Sequence, residues 1–173
     1  IEWIVLDVDR GLGNQQLLPT GFLRESIARL ETATVIEHGK TATGSLTMQL
    51  KAEDLISLNT ANNKKPKPKT IVHAVAGIGV PQRFFNSLRD AGFEVIEHVF
   101  PDHHDYQPAD LDFEDDLPII TTTKDAVKIR QFDELVADKS IWILPVKAQL
   151  SAACYELLLQ QLKALDISIP HST

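Results

Sequence analysis

The fold is decided by the stretch from Thr70 to Phe100, which reads TIVHAVAGIGVPQRFFNSLRDAGFEVIEHVF. Residues 70–78 form an apolar run rich in β-branched side chains, which predicts a buried strand. Residues 81–92 begin with proline and end at glycine, the residues that commonly start and stop a helix. Residues 93–100 are again rich in strand formers. A strand, a helix and a second strand in this order predict a parallel βαβ unit.

The same alternation continues toward the carboxyl terminus. Further strands are predicted at residues 117–122 and 140–146, and further helices at residues 107–115, 124–132 and 152–165. Strands that alternate with helices pair in parallel and bury both faces of their sheet. We therefore predict an α/β fold with an open, mostly parallel, Rossmann-like sheet that carries helices on both faces.

The amino-terminal third is less regular. It contains strand-like runs at residues 1–7, 32–38 and 45–51, and a helical spacing of apolar residues at 22–30. These runs predict an additional strand or β-ribbon segment before the main sheet. The stretch 52–69 ends in KKPKPK and is read as a solvated linker. The predicted division of the chain is therefore 1–51, a linker at 52–69, and an α/β domain at 70–173.

Composition excludes several classes of protein. The net charge of −7 argues against non-specific binding to nucleic acid, which depends on Lys and Arg. The single cysteine, Cys154, excludes an intrachain disulfide. No apolar run reaches the length of about 18 residues that a transmembrane helix needs. Because Ile1 already lies inside a strand-like run, we expect the sequence to be part of a longer protein.

Two glycine-containing segments invite comparison with nucleotide-binding loops. The triplet Gly39-Lys40-Thr41 lacks the glycine five positions earlier that a P-loop requires, and a strand rather than a helix is predicted after it. Gly77 and Gly79 lie between a strand and a helix, where backbone N–H groups can bind an anion. The dinucleotide fingerprint also needs glycine at position 82, which is Gln. A plain turn and a ligand-binding loop both remain open at 77–79.

The stretch 98–106, HVFPDHHDY, holds three of the six histidines of the chain. Metal sites need three or four ligands at suitable spacing, and no cysteine or second histidine pair is nearby, so no metal site is predicted. One histidine oriented by a carboxylate is suited to proton transfer, because neutral imidazole accepts a proton near physiological pH. The other interpretation, that both imidazoles are solvent-exposed turn residues, is equally compatible with the spacing.

Four segments taken together resemble the carboxyl-terminal half of the tetraacyldisaccharide 4'-kinase family of lipid A biosynthesis. They are RGLGN…LLPTGFLRES at 10–26, VHAVAGIGVPQRFFNSLRDAGFEV at 72–95, FPDHHDYQPADL at 100–111 and TTTKDAVK at 121–128. The resemblance implies an ATP- and Mg²⁺-dependent transferase. It would phosphorylate the 4'-hydroxyl of tetraacyldisaccharide 1-phosphate at the cytoplasmic face of the inner membrane. In this family the nucleotide loop, the Mg²⁺ ligands and the membrane anchor belong to the amino-terminal half.

The resemblance also implies roles for individual residues. The catalytic histidine of the family matches His103, with His104 as the alternative, and it pairs with an aspartate from the other half of the enzyme. Arg24 and Glu25 match an element that faces the interdomain cleft and affects activity. The remaining matches are cleft-side residues on the nucleotide side, namely Gly77, Gly79, Lys124 and Asp125. Residues 1–51 would then be the remnant of the nucleotide-binding domain.

Two other functions are compatible with the residues. A non-catalytic α/β module could bind a small anion or nucleotide at the turn 77–79. A metal-dependent hydrolase centred on DHHD at 102–105 would instead require bound metal.

Overall fold

A computed structural model describes residues 1–59 and 64–167. Its strands are β1 Trp3–Asp7, β2 Thr34–His38, β3 Thr47–Ala52, β4 Ile56–Ser57, β5 Ile71–Ala76, β6 Glu94–Val99, β7 Ile119–Thr122, β8 Ile141–Leu144 and β9 Val146–Leu150. Its helices are α1 Arg29–Thr32, α2 Pro81–Asp90, α3 Thr123–Ile129, α4 Asp133–Asp138 and α5 Ala152–Ala164, with a 3₁₀ turn at Pro108–Leu111. None of the helices in these described ranges has the length and apolarity needed to cross a membrane.

The chain forms two compact units. The first comprises Ile1–Lys51 with the chain from Ala148 onward, and the second comprises Ala52–Lys147. This division differs from the predicted one, because helix α5 groups with residues 1–51 rather than with the sheet that precedes it. Residues 60–63 of the predicted linker lie outside the described residues.

The second unit carries a five-stranded sheet in the order β4-β8-β7-β5-β6. Strand β5 pairs in parallel with β6 and with β7, and β7 pairs in parallel with β8. Only the short β4 runs antiparallel, beside β8. The predicted α/β fold with a mostly parallel sheet is confirmed.

Alternation along β5 explains why both faces of this sheet are covered. Val72, Ala74 and Ala76 lie in the core that helix α2 covers with its buried Phe and Leu side chains. Val75 points to the other face and joins a second core, whose members are Val75, Tyr106, Leu111, Ile119, Ile129 and Ile141. Successive strand residues face opposite sides of a sheet, so an almost continuous apolar run is what a strand buried on both faces requires.

The first unit contains a smaller sheet in the order β1-β2-β3-β9. Strand β2 pairs in parallel with β1 over its whole length and with β3 near its carboxyl end. The predicted strands of this segment are therefore present. Helix α5 contacts this sheet through Gln161, whose side chain accepts a hydrogen bond from the indole N–H of Trp3 at 2.8 Å.

Two predicted helices are wrong. At residues 22–30 only the end of the segment is helical, because the backbone of Leu23 pairs with that of residues 16–18 instead of following a helical ladder. At residues 107–115 the helix is reduced to the 3₁₀ turn. There the Asp110 carboxylate accepts a hydrogen bond from the N–H of Gln107, and Asp112 leaves the helical region. Three short elements were not predicted, namely β4, α4 and β9.

Candidate functional site

Three segments of the second unit meet at one edge of its sheet. Strands β5, β6 and β7 are parallel neighbours and end at Ala76, Val99 and Thr122, respectively. The chain continues from these ends into the turn 77–79, the loop 101–105 and helix α3. Ligands of open α/β sheets bind beyond the carboxyl ends of the strands. The loops singled out in the sequence therefore lie at the edge where a site is expected.

Asp125 joins the glycine turn to helix α3. Its Oδ2 accepts hydrogen bonds from the N–H of Gly77 at 3.0 Å and from the hydroxyl of Thr122 at 2.7 Å. The Asp125 N–H in turn donates to Thr122 Oγ1 at 3.1 Å, which caps the helix. Asp125 is only 2% exposed. Its carboxylate is thus committed to holding the turn, whereas the resemblance had suggested a contact with nucleotide.

Gly77 is required at its position by close packing. A Cβ atom built there would lie 2.9 Å from the hydroxyl oxygen of Tyr106 and 3.2 Å from the Pro101 carbonyl oxygen. Any larger residue would push the turn away from the loop 101–105. The glycine therefore brings these two segments into contact.

Lys124 forms an ion pair with Asp102. The Lys124 ammonium lies 2.6 Å from Asp102 Oδ1, and this hydrogen bond lowers the pKa of the Asp102 carboxyl. A Cβ atom built on Gly79 would lie 3.7 Å from Asp102 Oδ2, so the second glycine of the turn is close to the same carboxylate. Asp102 thereby connects the loop 101–105 to the glycine turn and to helix α3.

The two adjacent histidines occupy different environments. His103 has a left-handed backbone, with φ of 64°, and its side chain is 76% exposed. Its Nε2 lies 4.0 Å from Asp102 Oδ2, beyond hydrogen-bonding distance. The His104 ring, in contrast, stacks on Phe100 and its Nε2 lies 2.9 Å from Asp110 Oδ2. His104 is anchored to the fold, and His103 presents its imidazole to solvent.

The pKa of Asp110 agrees with this anchoring. The backbone N–H of Gln107 lowers the pKa of the Asp110 carboxyl, and the hydrogen bond with His104 lowers it further. Asp110 therefore stays ionised and fixes both the 3₁₀ turn and the His104 ring.

A lysine of helix α3 holds the backbone beneath both histidines. The Lys128 ammonium donates to the carbonyl oxygens of His103, at 2.8 Å, and of His104, at 2.5 Å. Nothing in the sequence indicated this contact, because it joins residues that are 24 and 25 positions apart.

Arg24 and Glu25 belong to the first unit. Both residues are exposed and line a cavity of about 380 Å³ whose walls include Ile4, Leu6, Leu23, Ile27 and Leu30. The Glu25 carboxylate lies 3.4 Å from Nε of Arg29, four residues later in the chain. His103 belongs to the second unit, and the predicted cleft that would join these residues to it stays a prediction.

The triplet 39–41 surrounds a carboxylate of the protein itself. Asp9 accepts hydrogen bonds from the N–H groups of Lys40, at 2.8 Å, and Thr41, at 3.1 Å. The Thr41 hydroxyl donates to the same side chain at 2.7 Å. The N–H groups that a P-loop would offer to phosphate are bonded to Asp9 instead.

A chain of two histidines and one aspartate was missed in the sequence. His73 Nδ1 lies 2.8 Å from His98 Nε2, and His73 Nε2 lies 2.9 Å from Asp115 Oδ1. The Phe113 ring stacks on both imidazoles at centroid distances of 3.9 and 4.2 Å. Burial lowers the pKa of His98, and the neighbouring His73 lowers it further. The signal in the sequence that could have indicated this group is the presence of a histidine in each of the strands β5 and β6.

This chain of residues is not a metal centre. Both ring nitrogens of His73 are already engaged, by His98 and by Asp115. Across residues 1–59 and 64–167, no group of three or more His, Cys, Asp or Glu side chains is arranged to hold a metal ion.

Comparison with known proteins identifies the family. The model of the tetraacyldisaccharide-1-P 4'-kinase (LpxK) family matches residues 1–163. A tetraacyldisaccharide 4'-kinase from Psychrobacter cryohalolentis is 46% identical, in an alignment covering 98% of this chain and 55% of the relative. One from Alcanivorax borkumensis is 43% identical, with 92% of this chain and 49% of the relative covered.

A solved structure supports the fold. The crystal structure of LpxK from Aquifex aeolicus, described as an "apo" form in complex with ATP, superposes with a TM-score of 0.58 at 20% identity. The match covers 92% of this chain and 51% of that chain. The chain thus spans about half the length of the relatives it matches. On the extent of the family match, the chain belongs to the tetraacyldisaccharide 4'-kinase family.

Proposed function

We propose that the intact protein transfers a phosphoryl group from ATP to the 4'-hydroxyl of tetraacyldisaccharide 1-phosphate, giving lipid IVA in lipid A biosynthesis. The present chain supplies the carboxyl-terminal part of this kinase. Family membership and the names of the relatives support the proposal. The reaction would take place at the cytoplasmic face of the inner membrane, where the lipid substrate of this pathway would be met.

His103 is the proposed base in this reaction. Phosphoryl transfer depends mainly on positioning and on charge neutralisation, with a group that orients or deprotonates the attacking hydroxyl. The observation that carries the assignment is the contrast between the two histidines. His104 Nε2 is engaged by Asp110, whereas the His103 imidazole is 76% exposed on a backbone held by Lys128. An exposed, neutral imidazole can accept the hydroxyl proton.

The nucleotide and its metal ion would be bound mainly outside this chain. Asp125 is buried, and the Lys124 ammonium is already paired with the Asp102 carboxylate. The described ranges also hold no cluster of ligands suited to Mg²⁺. Gly77 and Gly79 would contribute by letting the turn approach the bound nucleotide closely. Arg24 and Glu25 would contribute charge at the cleft, where a planar guanidinium can bind phosphate oxygens in pairs.

The experiment is a steady-state kinase assay of the intact protein with ATP and tetraacyldisaccharide 1-phosphate. We expect His103→Ala to lower kcat by about 10²–10⁴-fold, the usual contribution of a general base. The KM for ATP should stay within about twofold, since the proton is accepted from the lipid substrate. Asp105→Ala, an exposed change in the same loop, is the control and should retain activity.

Two outcomes separate the parts of the proposal. If the unsubstituted protein does not phosphorylate the disaccharide, the proposed function fails. If it does, and His103→Ala turns over normally, only the role of His103 fails. The 173-residue chain alone is expected neither to bind ATP tightly nor to turn over, and robust turnover by it would contradict the assignment of the nucleotide site to another segment.

A further inference from the structure

We infer that Lys128 is a positioning residue for His103, an inference that rests on the proposed function. Its ammonium donates to two consecutive carbonyl oxygens, those of His103 at 2.8 Å and His104 at 2.5 Å. The contact is to the backbone only. Lys128 therefore acts on the direction in which the His103 side chain leaves the loop.

The backbone conformation of His103 explains why a holding contact is needed. A residue with a Cβ atom rarely adopts positive φ, because Cβ then crowds the following carbonyl oxygen. His103 nevertheless has φ of 64°. One cation bound to the carbonyl oxygens of both His103 and His104 holds the two peptide groups that follow His103 and so favours this turn over the extended alternatives. Without the cation, the loop would be free to relax to negative φ.

Helix α3 is a rigid base for this contact. The helix follows directly from strand β7 and buries Asp125, Ala126 and Ile129 against the sheet. Lys124 and Lys128 are four residues apart, so they lie on the same face of the helix. Lys124 binds the side chain of Asp102, and Lys128 binds the next two carbonyls. Three consecutive loop residues are thereby fixed to one helix.

The loop is also held through the side chain of His104. The His104 ring is fixed by its contact with the Asp110 carboxylate and by stacking on Phe100. The backbone on either side of His103 is thus held, while the His103 side chain itself remains 76% exposed. The exposed imidazole can then approach substrate without the loop having to reorganise.

The test compares Lys128→Met with Lys128→Arg in the kinase assay of the intact protein. We expect Lys128→Met to lower kcat by about 10–100-fold, the loss that a displacement near 1 Å can cause, with the KM for ATP within about twofold. Arginine can donate to both carbonyls, so Lys128→Arg should recover most of the lost kcat. Should Lys128→Met not fold, Lys128→Leu, which also lacks a hydrogen-bond donor, replaces it, and the same loss of kcat is required.

Lys139 offers a matched control. Its ammonium also donates to a backbone carbonyl, that of Phe113 at 3.1 Å, but it serves a loop outside the candidate site. Lys139→Met should leave kcat within about twofold, because a contact away from the reacting groups does not enter the chemical step. Hydrogen exchange of the amides at 102–105 should accelerate in Lys128→Met and not in Lys139→Met.

Each result decides the inference. Unchanged kcat in Lys128→Met would overturn it, as would a raised KM for ATP at unchanged kcat, which would make Lys128 a ligand contact. A Lys128→Arg variant as impaired as Lys128→Met would also overturn it. If the unsubstituted protein has no kinase activity, the proposed function fails, and the hydrogen-exchange comparison still tests whether Lys128 holds the loop.

Discussion

Replacing Tyr106 with phenylalanine is expected to stabilise the second unit. Tyr106 is 1% exposed and packs in the core beneath the candidate site. In the part of the chain that the structure describes, its hydroxyl is a buried group without a hydrogen-bond partner. Burial raises the pKa of Tyr106, and the nearby Asp125 carboxylate raises it further, although no hydrogen bond of ordinary geometry joins the two groups. The hydroxyl is thus kept protonated and is poorly satisfied.

The magnitude follows from opposing contributions. A buried polar group without a partner costs about 1–3 kcal/mol relative to one left in water. Tyr106→Phe removes that cost. It also removes the oxygen's dispersion contacts beside Gly77, worth about 0.1–0.2 kcal/mol per atom pair, and any attraction between its O–H dipole and Asp125. We therefore expect the free energy of unfolding to rise by about 1 kcal/mol.

Urea unfolding followed by tryptophan fluorescence measures this change. Trp142 is buried in the second unit, so in the 173-residue chain a Trp3→Phe background makes the fluorescence report on that unit. The contrasting variant is Thr121→Val, which removes a buried hydroxyl that does donate, to the Val75 carbonyl at 3.0 Å. Thr121→Val should lower the free energy of unfolding by about 1 kcal/mol. If Tyr106→Phe is destabilised as Thr121→Val is, the hydroxyl has a real partner and the reasoning is refuted.

Three further predictions use the same titration. Asp125→Ala should lower the free energy of unfolding by about 3 kcal/mol, because it leaves the buried N–H of Gly77 without an acceptor and opens a cavity. Asp125→Asn keeps an acceptor and should lower it by less than half as much. His104→Ala removes the ring contacts and should lower the free energy of unfolding by about 1–2 kcal/mol. His103→Gly relieves the strain of positive φ and should raise it by about 0.5–1 kcal/mol. The opposite ranking would contradict the environments assigned to the two histidines. Burial lowers the pKa of His98, so the unfolded state binds more protons below about pH 6.5 and stability falls as the pH drops from there. His98→Gln should make the urea midpoint less dependent on pH between about 6.5 and 5, and an unchanged dependence would show that other groups cause it.

The main sheet could be predicted because its signals are local. Every residue between Ile71 and Ala76 except His73 is apolar, and the helix that follows begins at Pro81 and ends close to Gly92. Propensity, start signal and stop signal agree there, and such agreement is what makes a prediction from sequence dependable. In the segment 22–30 they do not agree, because backbone pairing of Leu23 with residues 16–18 takes precedence over helical spacing.

The environment of each histidine could not be predicted. His103 and His104 are adjacent and chemically identical, and the sequence offers nothing that separates them. The structure separates them through the backbone φ angle of His103 and the carboxylate of Asp110, which contacts only the His104 ring of the two. The pair His73 and His98 escaped notice for a related reason. Their contact crosses two strands that are 25 residues apart in sequence, and register between strands is set by tertiary packing.

The ion pair of Lys124 with Asp102 bears on the chemistry proposed for His103. A general base starts its step as a neutral imidazole and ends it protonated, and a carboxylate close by attracts the protonated ring. Asp102 Oδ2 lies 4.0 Å from His103 Nε2, where two unit charges attract by about 1 kcal/mol in water and by more where water is excluded. Lys124 offsets this attraction by placing its ammonium 2.6 Å from the other oxygen of the same carboxylate. In the proposed reaction, Lys124 therefore fixes the Asp102 carboxylate and weakens its attraction for the protonated ring, while Lys128 fixes where that ring is presented.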